Sequence, residues 1–376
     1  MENLQYTIKY SCSHRPNLTF PTKLTRLKIF YEEGRDGDLI RSLLPQMTQL
    51  NVLALFNNAS YSPLPNGQIW EKLIASSLPL LSRFQFYFPF DSFRHNVDDF
   101  NQTIRSFSTP FYLSKKHWYI RCDRNANNIS SGAIYSLPYA FSQMPINTFS
   151  FDESMSTLPT FNSNEYYTKI RTLMFNQKCK EPYNGLLGSN IDRLILTFNL
   201  PISWFHLLTK VRHITIGSYI EMSSTDFEIL LRHTPNLQSL TISSEKLKRL
   251  TDRFRNQIIC QKLSEQILSL SISHQYMDLP SLGIVSVRVL ASLARIFSPK
   301  CQHLSLAVVA HPNTIQPTLR RMKQLRSLHI EWRHLIYETI DPISVFLQNQ
   351  CTDPRSVDYV HTSDNRHLFI WFGNRL

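Results

Sequence analysis

The feature that most constrains this chain is an apolar triplet at positions i, i+3 and i+5 that returns along nearly its whole length. It occurs as Leu24-Leu27-Ile29, Leu50-Leu53-Leu55, Leu81-Phe84-Phe86 and Ile146-Phe149-Phe151, then as Ile170-Leu173-Phe175, Ile191-Leu194-Leu196, Val211-Ile214-Ile216 and Leu237-Leu240-Ile242. Ile267-Leu270-Ile272, Cys301-Leu304-Leu306 and Leu325-Leu328-Ile330 continue it. Successive copies lie 20 to 34 residues apart once a degenerate one at Trp118-x-Ile120 is counted, and Leu368-x-Ile370 is a terminal one. The last two apolar residues of each triplet fall on one side of a short strand. The two residues between the first and second are nearly always polar, and Pro45, Pro79, Pro145, Pro235 and Pro299 stand just before their copies.

Amphipathic stretches fill the intervals. The pattern predicts helices over Asp38–Met47, Gln68–Ser77, Val97–Phe107, Ser244–Leu263, Val285–Phe297, Thr314–Met322 and Pro342–Gln348. In the fourth, Leu247, Leu250, Phe254 and Ile258 share one face. Thr225-Asp226-Phe227-Glu228 reads as a capping box, and His233-Thr234-Pro235 as a helix stop. A strand plus a helix that cannot bury its apolar face alone must stack on its neighbours. The expected fold is therefore α/β: one leucine-rich-repeat-like solenoid over residues 1–376, with a curved parallel sheet on the concave face, helices and loops on the convex face, and an irregular region at about 87–145.

Composition excludes several kinds of chemistry. The chain has 9 glycines in 376 residues, and neither Gly34-x-x-Gly37 nor Gly185-x-x-Gly188 is a phosphate cradle. No G-x-S-x-G elbow is present. The six cysteines are dispersed without a C-x-x-C, as expected of reduced thiols used as small apolar groups. Cys12-x-His14 and Cys301-x-His303 are isolated pairs, and His329 and His334 lack the helical i, i+4 spacing of a metal pair. The carboxylate pairs Glu32-Glu33, Asp98-Asp99 and Asp152-Glu153 are adjacent residues that point apart. Cys179 beside Lys180 has no identifiable His or Asn partner. The reading is no enzyme, no cofactor and no metal.

The net charge is +12, which draws acidic partners. The densest basic runs, Lys246–Arg255 and Arg320–Arg326, lie on predicted helices and read as solvated outer faces. No apolar window suits a membrane span, and Met1–Tyr6 is no secretory signal. A cytoplasmic or nuclear monomer is expected.

Three segments carry a family resemblance: Phe107–Leu113, His117–Cys122 and Ile134–Phe141. Together with the short-spaced repeats around them, they resemble the F-box-like leucine-rich-repeat proteins of bdelloid rotifers. Members often begin with an F-box, a helical module opening on Leu-Pro-x-Glu that docks on the adaptor of a cullin ubiquitin ligase; residues 1–25 hold no such stretch. The resemblance implies the target-binding half of such an adaptor, with the cullin partner depending on an F-box upstream of Met1.

On strands of this pattern, positions i+2, i+4 and i+6 face the concave side. They give Arg26, Lys28 and Phe30 from one copy, Arg83, Gln85 and Tyr87 from another, Arg193 and His213 in the middle, and His329 and Glu331 towards the end. These residues are the expected partner-binding face, with the emphasis on Arg26, Lys28, Arg83 and Tyr87, because arginine and aromatic side chains dominate hot spots. The expected function is non-catalytic binding of a protein on that face; the alternative is a nucleic-acid-binding protein using its basic surface.

Overall fold

The computed structural model describes residues 6–7, 23–31, 42–57, 65–90, 97–124, 132–146, 153–158, 166–175, 190–217, 220–273, 287–307, 321–331, 357–361 and 367–372. The chain divides into two compact units, one of Met1–Arg171 with Asn176–Asn190, the other of Thr172–Phe175 with Ile191–Leu376.

The first unit carries strands β1 (Tyr6–Thr7), β2 (Arg26–Tyr31), β3 (Val52–Asn57), β4 (Arg83–Phe90), β5 (Tyr119–Arg124), β6 (Gly132–Leu137), β7 (Gln143–Ile146) and β8 (Glu153–Ser156). One mixed sheet runs in the order β1-β2-β3-β4-β6-β5-β8. It is parallel from β1 to β4 and antiparallel from β4 onward. Helices α1 (Gly67–Ser77) and α2 (Val97–Ser106) and a π-helical turn at Phe111–Lys116 belong to this unit. Asn66 caps α1, its side chain accepting from the amides of Gln68 and Ile69. Trp70, Ile74, Phe107 and Tyr112 pack in one core with Leu27, Ile29, Leu53, Leu55, Phe84 and Phe86 from the sheet.

In the second unit the strands are β9 (Thr172–Phe175), β10 (Arg193–Leu196), β11 (His213–Ile216), β12 (Ser239–Ile242), β13 (Ser269–Ile272), β14 (His303–Ala307), β15 (Ser327–Glu331), β16 (Val357–His361) and β17 (His367–Phe372). They follow one another in parallel from β9 to β15, and the hairpin β16/β17 joins β15 antiparallel. A 3-10 stretch at Ile202–Lys210 and helices α3 (Ser224–His233), α4 (Ser244–Leu250), α5 (Gln257–Gln266) and α6 (Val287–Phe297) fill the intervals.

The apolar triplet has a direct physical counterpart. Leu194, Ile214, Leu240, Leu270, Leu304 and Leu328 stand side by side in register and are buried. Each such side chain contributes about 1.5–3 kcal/mol of burial. The residue that precedes several of the parallel strands, usually polar, has a backbone role: its carbonyl accepts two amides from the next strand's entry. Thr25 O accepts from Asn51 at 2.8 Å and Val52 at 3.1 Å, and Arg212 O from Gln238 and Ser239, both at 2.9 Å. Gln238 O does the same for Leu268 at 2.8 Å and Ser269 at 2.9 Å. A polar pair tolerates this strand-entry turn, where an apolar pair would be wasted on solvent.

The expected leucine-rich-repeat-like solenoid with one curved parallel sheet is not the architecture. The chain forms two sheets, the first mixed, and the second closed by an antiparallel hairpin. The reason lies at the region expected to be irregular. β4 extends to eight residues, Arg-Phe-Gln-Phe-Tyr-Phe-Pro-Phe. β3 pairs with one edge of β4 as far as Tyr87, and β6 takes the opposite edge antiparallel from Tyr87↔Tyr135 to Phe90↔Gly132. Gly132 permits this: a Cβ there would stand 2.0 Å from the Phe90 ring. The degenerate copy at Trp118-x-Ile120 leads into β5 and the terminal copy at Leu368-x-Ile370 is β17, both antiparallel.

Smaller corrections follow the same logic. The helix expected over Ser244–Leu263 is two helices, because Asp252, Arg253 and Phe254 take left-handed conformations (φ 47°, 52° and 65°). Ile259, not Ile258, then faces the core, and Ile258 is 53 % exposed. The capping box is Ser223 with Asp226, each side chain meeting the other's backbone amide. Ser42 and Leu43 are helical and lead into a 3-10 turn at Leu44–Gln46. Residues 38–41, 285–286 and 314–320, the helix at Pro342–Gln348, and Phe149 and Phe151 lie outside the described residues.

Candidate functional site

In the first unit the face opposite α1 is closed by aromatic rings. Register aligns Phe30, Phe56, Tyr87, Tyr135 and Arg121 in one row across β2, β3, β4, β6 and β5. Tyr139, Phe141 and Tyr167 lie over that row, with ring centroids 5.1 Å apart for Phe56–Phe141 and 6.1 Å for Tyr87–Tyr139. Tyr87, Tyr135, Tyr139 and Tyr167 are each 1 % exposed. Every residue of β6 is buried. A second core therefore occupies part of this face, and of the residues expected to bind a partner it buries Tyr87.

Within it sits a buried ionic network. Arg121 Nε donates to Asp123 Oδ1 at 2.8 Å, Ser154 Oγ donates to the same oxygen at 2.5 Å, and the Tyr135 hydroxyl donates to Oδ2. Tyr135 and Tyr167 share a hydroxyl contact of 2.7 Å. Burial and the Asp123 carboxylate hold the Tyr135 phenol well above its ordinary range. Such an arrangement orders strands and leaves no acid, base or nucleophile open to a substrate. Sequence reading missed it, although Arg121 and Asp123, two apart on a strand, share a face.

The Tyr87 hydroxyl has no partner among the described residues. A buried unpaired hydroxyl costs about 1–3 kcal/mol. Tyr87→Phe should therefore leave the unfolding free energy unchanged or raise it by about 1 kcal/mol, read by chemical denaturation. A loss above about 1 kcal/mol, the mark of a deleted hydrogen bond, would contradict this placement.

The remaining expected residues fall as follows. Arg26 and Arg83 are exposed; Lys28, Phe30 and Gln85 are half-buried. The Lys28 ammonium lies 4.8 Å from the Phe30 ring centre and 5.6 Å from that of Phe141. The structure thus keeps Arg26, Lys28 and Arg83 accessible and separates Tyr87 from them by burying it. In the second unit Arg193 is exposed, and His213, His329 and Glu331 are half-buried.

Among the described residues, the second unit's sheet is open on one face. Burial alternates along every strand from β9 to β13. The outward rows read Arg193, His213, Ser239, Ser269, His303 and Ser327, and beside them Ile195, Thr215, Thr241, Ser271, Ser305 and His329. At the β17 end the face turns aromatic. His329 Nδ1 meets Ser305 Oγ at 2.9 Å, its Nε2 meets His367 Nδ1 at 3.2 Å, and its ring stacks on Phe369 at 4.3 Å and 7°. Burial and the neighbouring His367 lower the His329 pKa. Trp371 is 45 % exposed. The period-two spacing of His367, Phe369 and Trp371 was readable in sequence and was overlooked.

Several basic side chains have a structural task. Lys246 is 4 % exposed, and it and Arg249 both donate to the Ile220 carbonyl. Burial and Arg249 bring the Lys246 pKa down to about 8. Lys300 reaches the Glu265 carbonyl at 2.6 Å, and Lys116 that of Leu81 at 2.7 Å. The 246–255 run is thus only partly the solvated face expected of it.

Among the described residues no His, Cys, Asp and Glu group is arranged to hold a metal ion. The Cys301 thiol is buried and pushed up to about 11. Cys12, His14, Cys179, Lys180, His334, the glycine pairs and Glu32-Glu33 lie outside the described residues, as does Asp152. Among the described residues no helix is long and apolar enough to cross a membrane. No protein-family model and no characterised protein matches the sequence.

Proposed function

We propose that this protein is a non-catalytic interaction module that binds a protein partner on the open sheet face of its second unit. One observation supports the reading above others: among the described residues, alternate residues of strand after strand are half-buried or exposed there, whereas the first unit buries both faces of its sheet over β6 and the second half of β4. The face is flat and hydroxyl-rich in its middle and ends in His303, His329, Phe369 and Trp371, side chains able to anchor a partner. Few full charges lie on it, which favours protein over nucleic acid, whose affinity rests on cations at phosphates. On the resemblance to F-box-like proteins, the partner would be a target for presentation to a cullin ligase.

The test places a photo-crosslinking residue at Ser271 of the full chain in cells. A discrete crosslinked protein is expected, lost when Thr241→Arg is added. The same crosslink from Ile258, on the far-facing helix surface, with none from Ser271, would overturn the assignment.

A further inference from the structure

A group of cations in the first unit stands together, with no carboxylate paired to it among the described residues. Arg26 and Arg83 flank Val52 in one register row, and Lys28 lies in the next with Ala54 and Gln85. Neighbouring strands are ~4.8 Å apart and alternate residues ~6.7 Å. The three side chains therefore start within about 12 Å of one another on one face. Lys169 adds a fourth charge, near enough to Lys28 to oppose its protonation. Arg26, Arg83 and Lys169 are exposed, and Lys28 rests its ammonium against the rings of Phe30 and Phe141. Among the described residues, none of the four is in an ion pair. Elsewhere this chain uses its buried cations on carbonyls or carboxylates. Like charges held together unneutralised destabilise a fold, and sites that do so are candidates for a ligand of opposite charge.

We propose that Arg26, Lys28, Arg83 and Lys169 form a docking patch for an acidic peptide segment, separate from the open face of the second unit. The dimensions match an extended chain bearing carboxylates at alternate residues, which lie ~6.7 Å apart. Single-stranded nucleic acid needs free ring faces for its bases. Here Phe56 and Tyr87 are buried, and the ammonium of Lys28 lies against Phe30 and Phe141. Charge complementarity on an exposed rim acts mainly on association and is sensitive to salt.

The experiment is fluorescence anisotropy with the full chain at about 50 mM salt, where charges ~10 Å apart still interact. The probe is a labelled peptide of alternating Glu and Ser, compared with its Gln-for-Glu version and a labelled oligothymidylate of equal charge. The Glu peptide should bind, the Gln peptide should not, and Arg26→Glu with Arg83→Glu should weaken binding at least tenfold. The melting temperature of that variant should stay level or rise, because repulsion is relieved. Should the double variant fold poorly, Lys169→Glu alone is the readout, with about a threefold loss expected. No binding of the Glu peptide, unchanged affinity in the variants, or tighter binding of the oligothymidylate would each overturn the proposal.

Discussion

Arg121→Met lowers the unfolding free energy of this protein by about 3–5 kcal/mol, the usual cost of stripping one partner from a buried ion pair. Arg121 is 6 % exposed and Asp123 1 %. The Asp123 carboxylate would keep Tyr135 and Ser154 but lose the Arg121 cation. Methionine fills similar volume, so the loss is electrostatic rather than a cavity. Adding Asp123→Leu to Arg121→Met should recover part of the stability, since replacing both members of a buried pair costs less than breaking it. Denaturant unfolding of both variants decides the matter. A loss under about 1 kcal/mol for Arg121→Met would mean that the pair is solvated and the aromatic cover over β6 is open.

Trp204→Ala is the second large effect, at about 3–5 kcal/mol. Trp204 is fully buried in the second unit and meets Phe175 edge-on at 4.8 Å and 88°. It fills the interval between β10 and β11, where the connection is 3-10 rather than α and offers few side chains for packing. Its indole nitrogen has no hydrogen-bond partner among the described residues. Trp204→Phe should therefore cost clearly less than truncation, since no polar contact is lost with the indole. At ~2–4 °C per kcal/mol for a unit of this size, the alanine variant should melt roughly 10 °C lower. Equal losses for the two variants would show that the indole nitrogen is bonded after all.

What the sequence made legible was local. The apolar triplets marked the buried side chains of the parallel strands β2–β4 and β9–β15, and of β5 and β17, because alternate burial imposes a period of two. The same pattern cannot say how strands join. Residues 83–90 read as one more repeat, yet six of the eight are aromatic or proline and both faces need cover, and the strand takes an antiparallel neighbour. The covering residues Tyr139, Phe141 and Tyr167 come from irregular segments, where no periodicity announces them. This is why Tyr87, a fair candidate for a binding anchor by type and position, lies in a core instead. Arg26 and Arg83 escaped that cover because they sit at the strand starts, ahead of the aromatic row. The helix break at Asp252–Phe254 was hidden for another reason: three non-glycine residues with positive φ are disfavoured locally, and only hydrogen bonds such as Thr251 Oγ1 to Leu247 O hold the turn.

The second unit leaves one sheet face open among the described residues, while the first unit closes both over β6 and the second half of β4. Hydroxyl-radical footprinting of the free chain, read residue by residue by mass spectrometry, tests it most directly. Met174, His329 and Trp371, on the open face, should oxidise readily, while Tyr87, Tyr135 and Tyr139 stay protected until the protein unfolds. Oxidation of Tyr87 and Tyr135 as fast as Trp371, or protection of Met174 and Trp371 in the free chain, would contradict the account.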